Sequence, residues 1–518
     1  MAALLTPEVS PLSPGIAEIL DPAGSRFSGR TPARANRRIE PARPKRSYAR
    51  YLPLAAILGI AAAVRCLWLD FQLDDSFITY TFARSVARGE GFSFTGTQVL
   101  GTTSPLYALL LSLALCIGVP VELAAKTLGM ASALAGCALL YRLTLSALGR
   151  GGALLAAALL AVNGAHASIS MSGMETSLYT TICLAAFCLQ PHHPRLTALL
   201  AASACLLRPD GLLLAGILAL VHLSERRPLR AAPLVCFGVP LIAWVIVALL
   251  LFGSAVPTSL AAKLAYPDYG PFSLTAALRA VGPRLGLGLL LFGGLGIAVV
   301  RQRQRTLLPL VAWTALYLLA FLRAPNFTWY YVPALPGLIV LGVTGLCAVQ
   351  QRLGSWADAR GPRKQWLMRA IVGIAVAGVL AVAGADLYDQ REFISRTHGP
   401  EVSGTYRAIA HWLRDSTPAD ARVGIPEVGY VGFYSDRRVL DLAGLCSPEV
   451  IPYLRKRAYE AVVRDFRPEY VVLTTEGHRP IHSTISNSAW FQTHYVERIR
   501  FPYRGNAYVV WGLRNSRL

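Results

Sequence analysis

Charge is what this chain has least of. Only 15% of its 518 residues are Asp, Glu, Lys or Arg, while 54% are hydrophobic; soluble domains carry roughly 25% charged residues. The balance excludes an ordinary string of soluble domains and indicates a polytopic membrane protein with some non-membrane parts. Acids are scarcer than bases, 29 against 50, which leaves a net charge of +21. That excess does not argue for nucleic acid as a partner, because the bases gather between apolar runs, where cytoplasmic loops collect Lys and Arg. There is no Cys-x-x-Cys. Eight of the nine cysteines lie in apolar runs and only Cys446 in a polar region, so neither a zinc site nor a disulfide framework is indicated. A Gly-rich phosphate loop, His-Glu-x-x-His, Gly-x-Ser-x-Gly and a fixed-period repeat are also absent.

What is present is a series of apolar runs between two polar ends. Residues 1–50 carry nine Lys/Arg against four acids and have no apolar run. They read as a disordered basic cytoplasmic tail without the apolar region of a signal peptide. Apolar runs follow at 51–69, 123–141, 151–168, 176–189, 196–207, 211–223, 233–252, 285–300, 306–322, 331–349 and 368–385. Runs 196–207 and 211–223 are short enough to be one broken pair. Run 104–119 is also short, and Pro105 and Pro120 bracket it. If it does not cross, the eleven remaining runs put twenty-three Lys/Arg inside and seven outside before residue 386. If it crosses, the bias reverses, so charge favours a re-entrant segment. Residues 386–518 are polar and mixed, with a helical pattern at 405–413 and β-rich runs at 422–425, 438–442, 470–474 and 507–511. The expected architecture is a polytopic α-helical membrane protein of 51–385 with about eleven transmembrane helices, plus a small extracytoplasmic α/β domain of 386–518.

On this count five polar clusters share the outer face. They are Asp74-Asp75, Ser170-Met-Ser-Gly-Met-Glu175-Thr176, Arg208-Pro-Asp210-Gly, Phe252–Lys263, and Leu322-Arg323-Ala-Pro-Asn326-Phe-Thr-Trp329-Tyr330-Tyr331. Carboxylates beside hydrocarbon are costly unless they are paired or functional, and clusters converging on one side suggest a polar cavity.

These residues carry a resemblance. Asp74-Asp75-Ser-Phe-Ile-Thr-Tyr-Thr-Phe-Ala-Arg84, Ser172-Gly-Met-Glu175, Leu207-Arg208-Pro-Asp210-Gly211, Phe252-Gly…Lys263 and Val428-Gly-Tyr-Val…Val439-Leu-Asp441-Leu-Ala-Gly444-Leu445 resemble the GT-C superfamily of integral-membrane glycosyltransferases, most of all its terminal arabinofuranosyltransferase-like branch. The chain departs from that pattern at Val99-Leu-Gly-Thr-Thr-Ser104 and Val256-Pro-Thr-Ser, where acceptor or sugar would be read. The resemblance implies a polyprenyl-phosphate-linked hexosyl or pentosyl donor, an extracytoplasmic glycan or lipid acceptor, usually inverting transfer, and a place in the cytoplasmic membrane.

Such a transfer needs a base for the acceptor hydroxyl and cations for the departing phosphate. Asp74 or Asp75 supplies the base, with Asp74 narrowly favoured. The competing reading is that the pair caps a short helix. No cofactor is required, although two carboxylates could hold Mg or Mn. Arg208, Lys263 and Arg323 are the phosphate candidates, set against an Arg208–Asp210 ion pair and interfacial snorkelling. Glu175 either orients acceptor or caps the next helix. Tyr330, with Trp329 and Tyr331, either stacks on sugar or belongs to an aromatic belt. His166 reads as structural. The rival function is a transporter or flippase of a lipid-linked saccharide, which would place its polar groups at mid-membrane.

Overall fold

A computed structural model describes residues 51–514 apart from 191, 227, 229, 267–281, 283–291, 301–304, 322–326 and 478. The basic tail 1–50, Arg323 and the first part of run 285–300 therefore lie outside the described residues.

The apolar runs form helices. They are α1 Leu52–Cys66, α4 Val121–Val162, α5 Gly164–Met171, α6 Thr176–Leu189, α7 Pro194–Leu207, α8 Gly211–Ser224, α9 Ala231–Phe252, α11 Leu308–Ala320, α12 Leu335–Asp358 and α13 Pro362–His398. Among the described residues four helical stretches are long and apolar enough to cross a membrane: Val121–Val162, Ala231–Phe252, Thr328–Asp358 and Pro362–Ser416. The expected span 123–141 and most of 151–168 share α4, which breaks at Gly149 with φ 68°, while residues 164–168 belong to α5. A left-handed residue cannot continue a right-handed helix, and glycine adopts that conformation without a Cβ clash. The helices pack closely through small residues: a methyl on Gly129 would overlap the Ser170 carbonyl oxygen, and one on Gly296 the Leu341 carbonyl oxygen.

Between α1 and α4 the chain forms α2 Asp74–Ala87, a two-stranded ribbon of β1 Ser93–Phe94 and β2 Thr97–Gln98, and α3 Pro105–Cys116. α3 is run 104–119. Its 12 residues extend about 18 Å, well short of a ~30 Å hydrocarbon core. α10 Thr258–Ala265 follows α9 after a five-residue link.

The polar C-terminal region is an α/β unit. α13 runs unbroken to His398, so it enters this region as a helix, and α14 Pro400–Ser416 follows. α14 buries Val402, Tyr406, Ile409, Ala410 and Leu413, a helical stripe facing the sheet. Five strands, β3 Arg422–Ile425, β4 Arg438–Asp441, β5 Tyr470–Thr474, β6 Tyr495–Tyr503 and β7 Asn506–Leu513, pair in the order β4-β3-β5-β7-β6. β3 is parallel to both neighbours, with Val423 opposite Val439 and Tyr470, and β7 is antiparallel to β5 and β6. Every residue of β5 is buried, as expected for a strand covered on both faces.

This unit is seated on α2 by the short helix α15 Val428–Tyr434. Phe77 packs on Tyr430 with ring centroids 4.0 Å apart, and Phe433 and Tyr434 close around it. Arg84 donates to the Phe433 carbonyl at 2.6 Å and pairs with Asp436 at 3.5 Å.

Candidate functional site

The polar clusters converge on one cavity of about 590 Å³. α2 supplies Asp75, Ile78 and Thr79. The segment before α3 supplies Thr102, Thr103 and Ser104, and α10 supplies Ser259, Leu260, Lys263 and Leu264. Glu175, Arg208, Asp210, Phe321, Trp329 and Tyr330 complete the wall, with Leu445 reaching in from the α/β unit.

Arg208 is a buried knot at the junction of α7 and α8. Its Nε donates to both Asp210 oxygens at 3.0 and 3.2 Å, and its Nη1 donates to Glu175 Oε1 at 3.0 Å. The Tyr317 hydroxyl donates to Asp210 Oδ2 at 2.6 Å. The guanidinium also lies 5.5 Å from the Tyr179 ring centre and 5.6 Å from that of Tyr330, within cation–π range. One cation between two carboxylates, all nearly excluded from solvent, fixes geometry more than it offers a vacant charge. The Arg208–Asp210 ion pair is therefore present, and it binds Glu175 as well. Glu175 is also the N-cap residue of α6.

Lys263 is engaged differently. Its Nζ donates to the Tyr330 hydroxyl at 3.0 Å, which leaves the hydroxyl proton and the remaining ammonium protons for other acceptors. Burial pulls the ammonium down, but Tyr330 and Asp75 outweigh it and the group ends above its ordinary value.

The two adjacent acids part company. Asp74 points to the α/β unit: its Oδ2 accepts from the Gly429 N–H at 3.0 Å and its Oδ1 from the Tyr430 N–H at 2.9 Å. It caps the N-terminus of α15 from the far end of the chain, and a carboxylate suits the positive end of a helix. Burial still pushes its carboxyl up to about 7, against the pull of those two N–H groups. Asp75 lines the cavity. Burial raises its carboxyl above the ordinary range, and Lys263 draws it part of the way back. The sequence preference for Asp74 as base therefore meets a competing observation, since each Asp74 oxygen already accepts a backbone N–H and Asp75 is the acid that lines the open space.

Asp74 spends both oxygens on backbone N–H groups, and a cation at Asp75 would meet the field of Lys263. Among the described residues no group of three His, Cys, Asp or Glu side chains comes together. His166 lies away from the cavity, buried against the Arg65 guanidinium at 2.7 Å. Trp329 stacks on Phe327 with centroids 4.4 Å apart, and Tyr331 is buried; Arg323 falls outside the described residues.

Sequence reasoning missed Tyr317, an aromatic inside an apolar run whose hydroxyl gave no signal, and it gave no site role to Leu445, the last residue of the outer-domain motif. The latter is placed by Asp441, whose oxygens accept from the Ala443 N–H at 2.8 Å and the Cys446 N–H at 2.7 Å. The departure at Val99–Ser104 puts three hydroxyls, of Thr102, Thr103 and Ser104, on the wall.

Residues 395–511 match a family described as a domain of unknown function, DUF8728. No curated protein matches the chain. Solved structures do. ArnT from Cupriavidus metallidurans, bound to undecaprenyl phosphate, superposes with a TM-score of 0.59 at 14% identity, covering 89% of this chain and 97% of that one. An Archaeoglobus fulgidus oligosaccharyltransferase, tethered to an acceptor peptide, superposes with a TM-score of 0.57 at 12% identity, covering 91% and 74%.

Proposed function

We propose that this chain, which has the fold of the GT-C membrane glycosyltransferases, transfers a sugar from a polyprenyl-phosphate donor to a hydroxyl of an extracytoplasmic glycan or lipid. The observation that carries the proposal is the cavity in which a carboxylate, Asp75, faces a hydroxyl-buttressed ammonium, Lys263 with Tyr330. ArnT, of the same fold, is bound to undecaprenyl phosphate, which supports the class of donor.

The acceptor hydroxyl loses its proton to Asp75. Its oxygen forms the new bond to the anomeric carbon. The bond from that carbon to the phosphate oxygen breaks with its electron pair, which stays on the polyprenyl phosphate. Lys263 and the Tyr330 O–H receive the charge that grows there. Arg208 holds Glu175 and Asp210, and through them the Tyr317 side of the cavity, as a positioning residue. A single displacement in line with the departing phosphate inverts the anomeric centre. The hydroxyls of Thr102, Thr103 and Ser104 are placed to read the transferred sugar or the acceptor.

We further propose the eleven-span arrangement in the cytoplasmic membrane, with α3 re-entrant, the N-terminus in the cytoplasm, and the cavity and α/β unit outside. The Lys/Arg bias and the short α3 support it.

The test is sugar transfer in membranes supplied with lipid-linked donor, read by mass spectrometry of the product. Asp75→Asn is expected to lower turnover about 100-fold or more, the usual weight of a general base, with expression intact. Near-wild-type turnover would remove Asp75 from the mechanism.

A further inference from the structure

The stretch Val256-Pro-Thr-Ser runs into α10, and Ser259 is its last residue. Ser259 lines the Asp75 cavity and is only 6% exposed. Its Oγ has no hydrogen-bond partner among the described residues. Two nearby wall hydroxyls are already engaged: those of Thr102 and Ser104 bond one another at 3.2 Å, and Thr102 Oγ1 also accepts from the Ser104 N–H at 3.1 Å. A buried hydroxyl without a partner has lost its bonds to water and gained nothing in return. The space beside this one is the cavity, so the missing partner is a group on whatever the cavity binds.

Helix register narrows what that group is. Ser259 and Lys263 stand four residues apart on α10, which puts them on one face, and both line the cavity. The rise between them is about 6 Å, the span of one sugar ring. In the transfer proposed above, Lys263 with Tyr330 holds the donor phosphate. A ring joined to a phosphate held there lies beside Ser259, whereas no such fixed distance ties the acceptor to Lys263.

α10 is also held firmly enough to select. The Thr258 N–H donates to the Leu100 carbonyl at 2.8 Å, and Lys263 Nζ is anchored on Tyr330. On the α/β side Ala262 comes so near that a Cβ on Gly444 would lie 3.6 Å from its own. A hydroxyl presented from a helix fixed along its length is preorganised for one ligand position.

We propose that Ser259 is a specificity residue for the donor: its Oγ hydrogen-bonds a hydroxyl of the sugar being transferred, one helical turn from the phosphate at Lys263. The assignment rests on the transfer reading, and it narrows the donor to a sugar with a free hydroxyl on that edge of its ring.

The test is steady-state transfer by the full chain in membranes, supplied first with a panel of undecaprenyl-phosphate pentoses and hexoses and then with monodeoxy analogues of the donor it uses. Ser259→Ala removes a hydroxyl that bonds nothing in the protein and introduces a better helix former, so its melting curve should match the wild type. Its kcat/KM for the donor should fall about tenfold, the weight of one hydrogen bond, with the KM for acceptor unchanged. One monodeoxy donor should cost the wild type a similar factor and cost Ser259→Ala nothing further, since two groups that bond each other are not additive. Equal losses in both proteins at every deoxy position, or a shift in acceptor KM in place of the donor effect, overturns the assignment. Wild-type transfer with full donor efficiency in Ser259→Ala overturns it alone. Absence of transfer by the wild type from every donor overturns the transfer reading and this assignment together.

Discussion

Asp74 and Asp75 differ by one position and a direction. In the sequence nothing separates them beyond the rule that adjacent helical residues point apart. What separates them is Gly429 and Tyr430, hundreds of residues away, whose N–H groups occupy Asp74. A pH profile reads the difference. Asp75 must be deprotonated to act, so transfer should rise with pH through a value above the ordinary carboxylate range, its carboxyl being raised by burial. Lys263 draws that carboxyl down, so Lys263→Met should move the acid limb of kcat/KM to higher pH as well as weakening donor binding. A limb that stays in place would mean that Lys263 and the base do not sense one another. Charged residues at span ends, Glu175, Arg208, Asp210 and Lys263, were legible as a group because each is costly at a membrane face. Of their pairings the Arg208–Asp210 ion pair was one of two readings and the Glu175–Arg208 bond was not read at all, since an ion pair and a phosphate ligand call for the same residue types.

At the scale of elements the decisive contact is α15 on α2. Gly429 has no side chain because the Asp74 backbone passes where one would go; a methyl there would overlap the Asp74 carbonyl oxygen. Gly429→Ala should therefore cost about 1–3 kcal/mol, the range for overpacking a tight contact. The loss should appear as a lower melting temperature and faster proteolysis of the α/β unit, with the helices still inserted; an unchanged melting curve would show that the interface yields freely. Strands β3, β4, β5 and β7 were readable from their Val- and Leu-rich runs. β6 was not, because it is an edge strand whose Glu497, Arg498 and Arg500 give it a polar face. The run of residues 142–150 looked like a loop, yet helix continues to Leu148 and stops for the single residue Gly149. Helix-forming neighbours hide a one-residue break from any windowed reading.

At the scale of the molecule the question is which side each element faces. In a background without native cysteines, Lys456→Cys in the α/β unit should react with an impermeant maleimide in intact cells. Arg360→Cys in the α12–α13 turn should react only after permeabilisation. The opposite pattern would invert the arrangement and carry α3 across the membrane with it. Membrane character was legible from composition alone, and the division into an apolar module and a polar end was the expectation drawn from it. The joint between them was not, because α13 carries a continuous helical backbone from one into the other.

The cap on α15 also orders events in time. Asp74 and its partner are 355 residues apart, and Leu445, which closes the cavity, comes later still. At ~5–20 residues per second, roughly 20 to 70 s of synthesis separate the appearance of the acidic loop from that of the backbone that fixes it. Throughout that interval the membrane module can insert, but its acidic loop has no finished wall around it. A chain stopped at any point before α15 would leave Asp74 without the backbone that binds it and the cavity without Leu445.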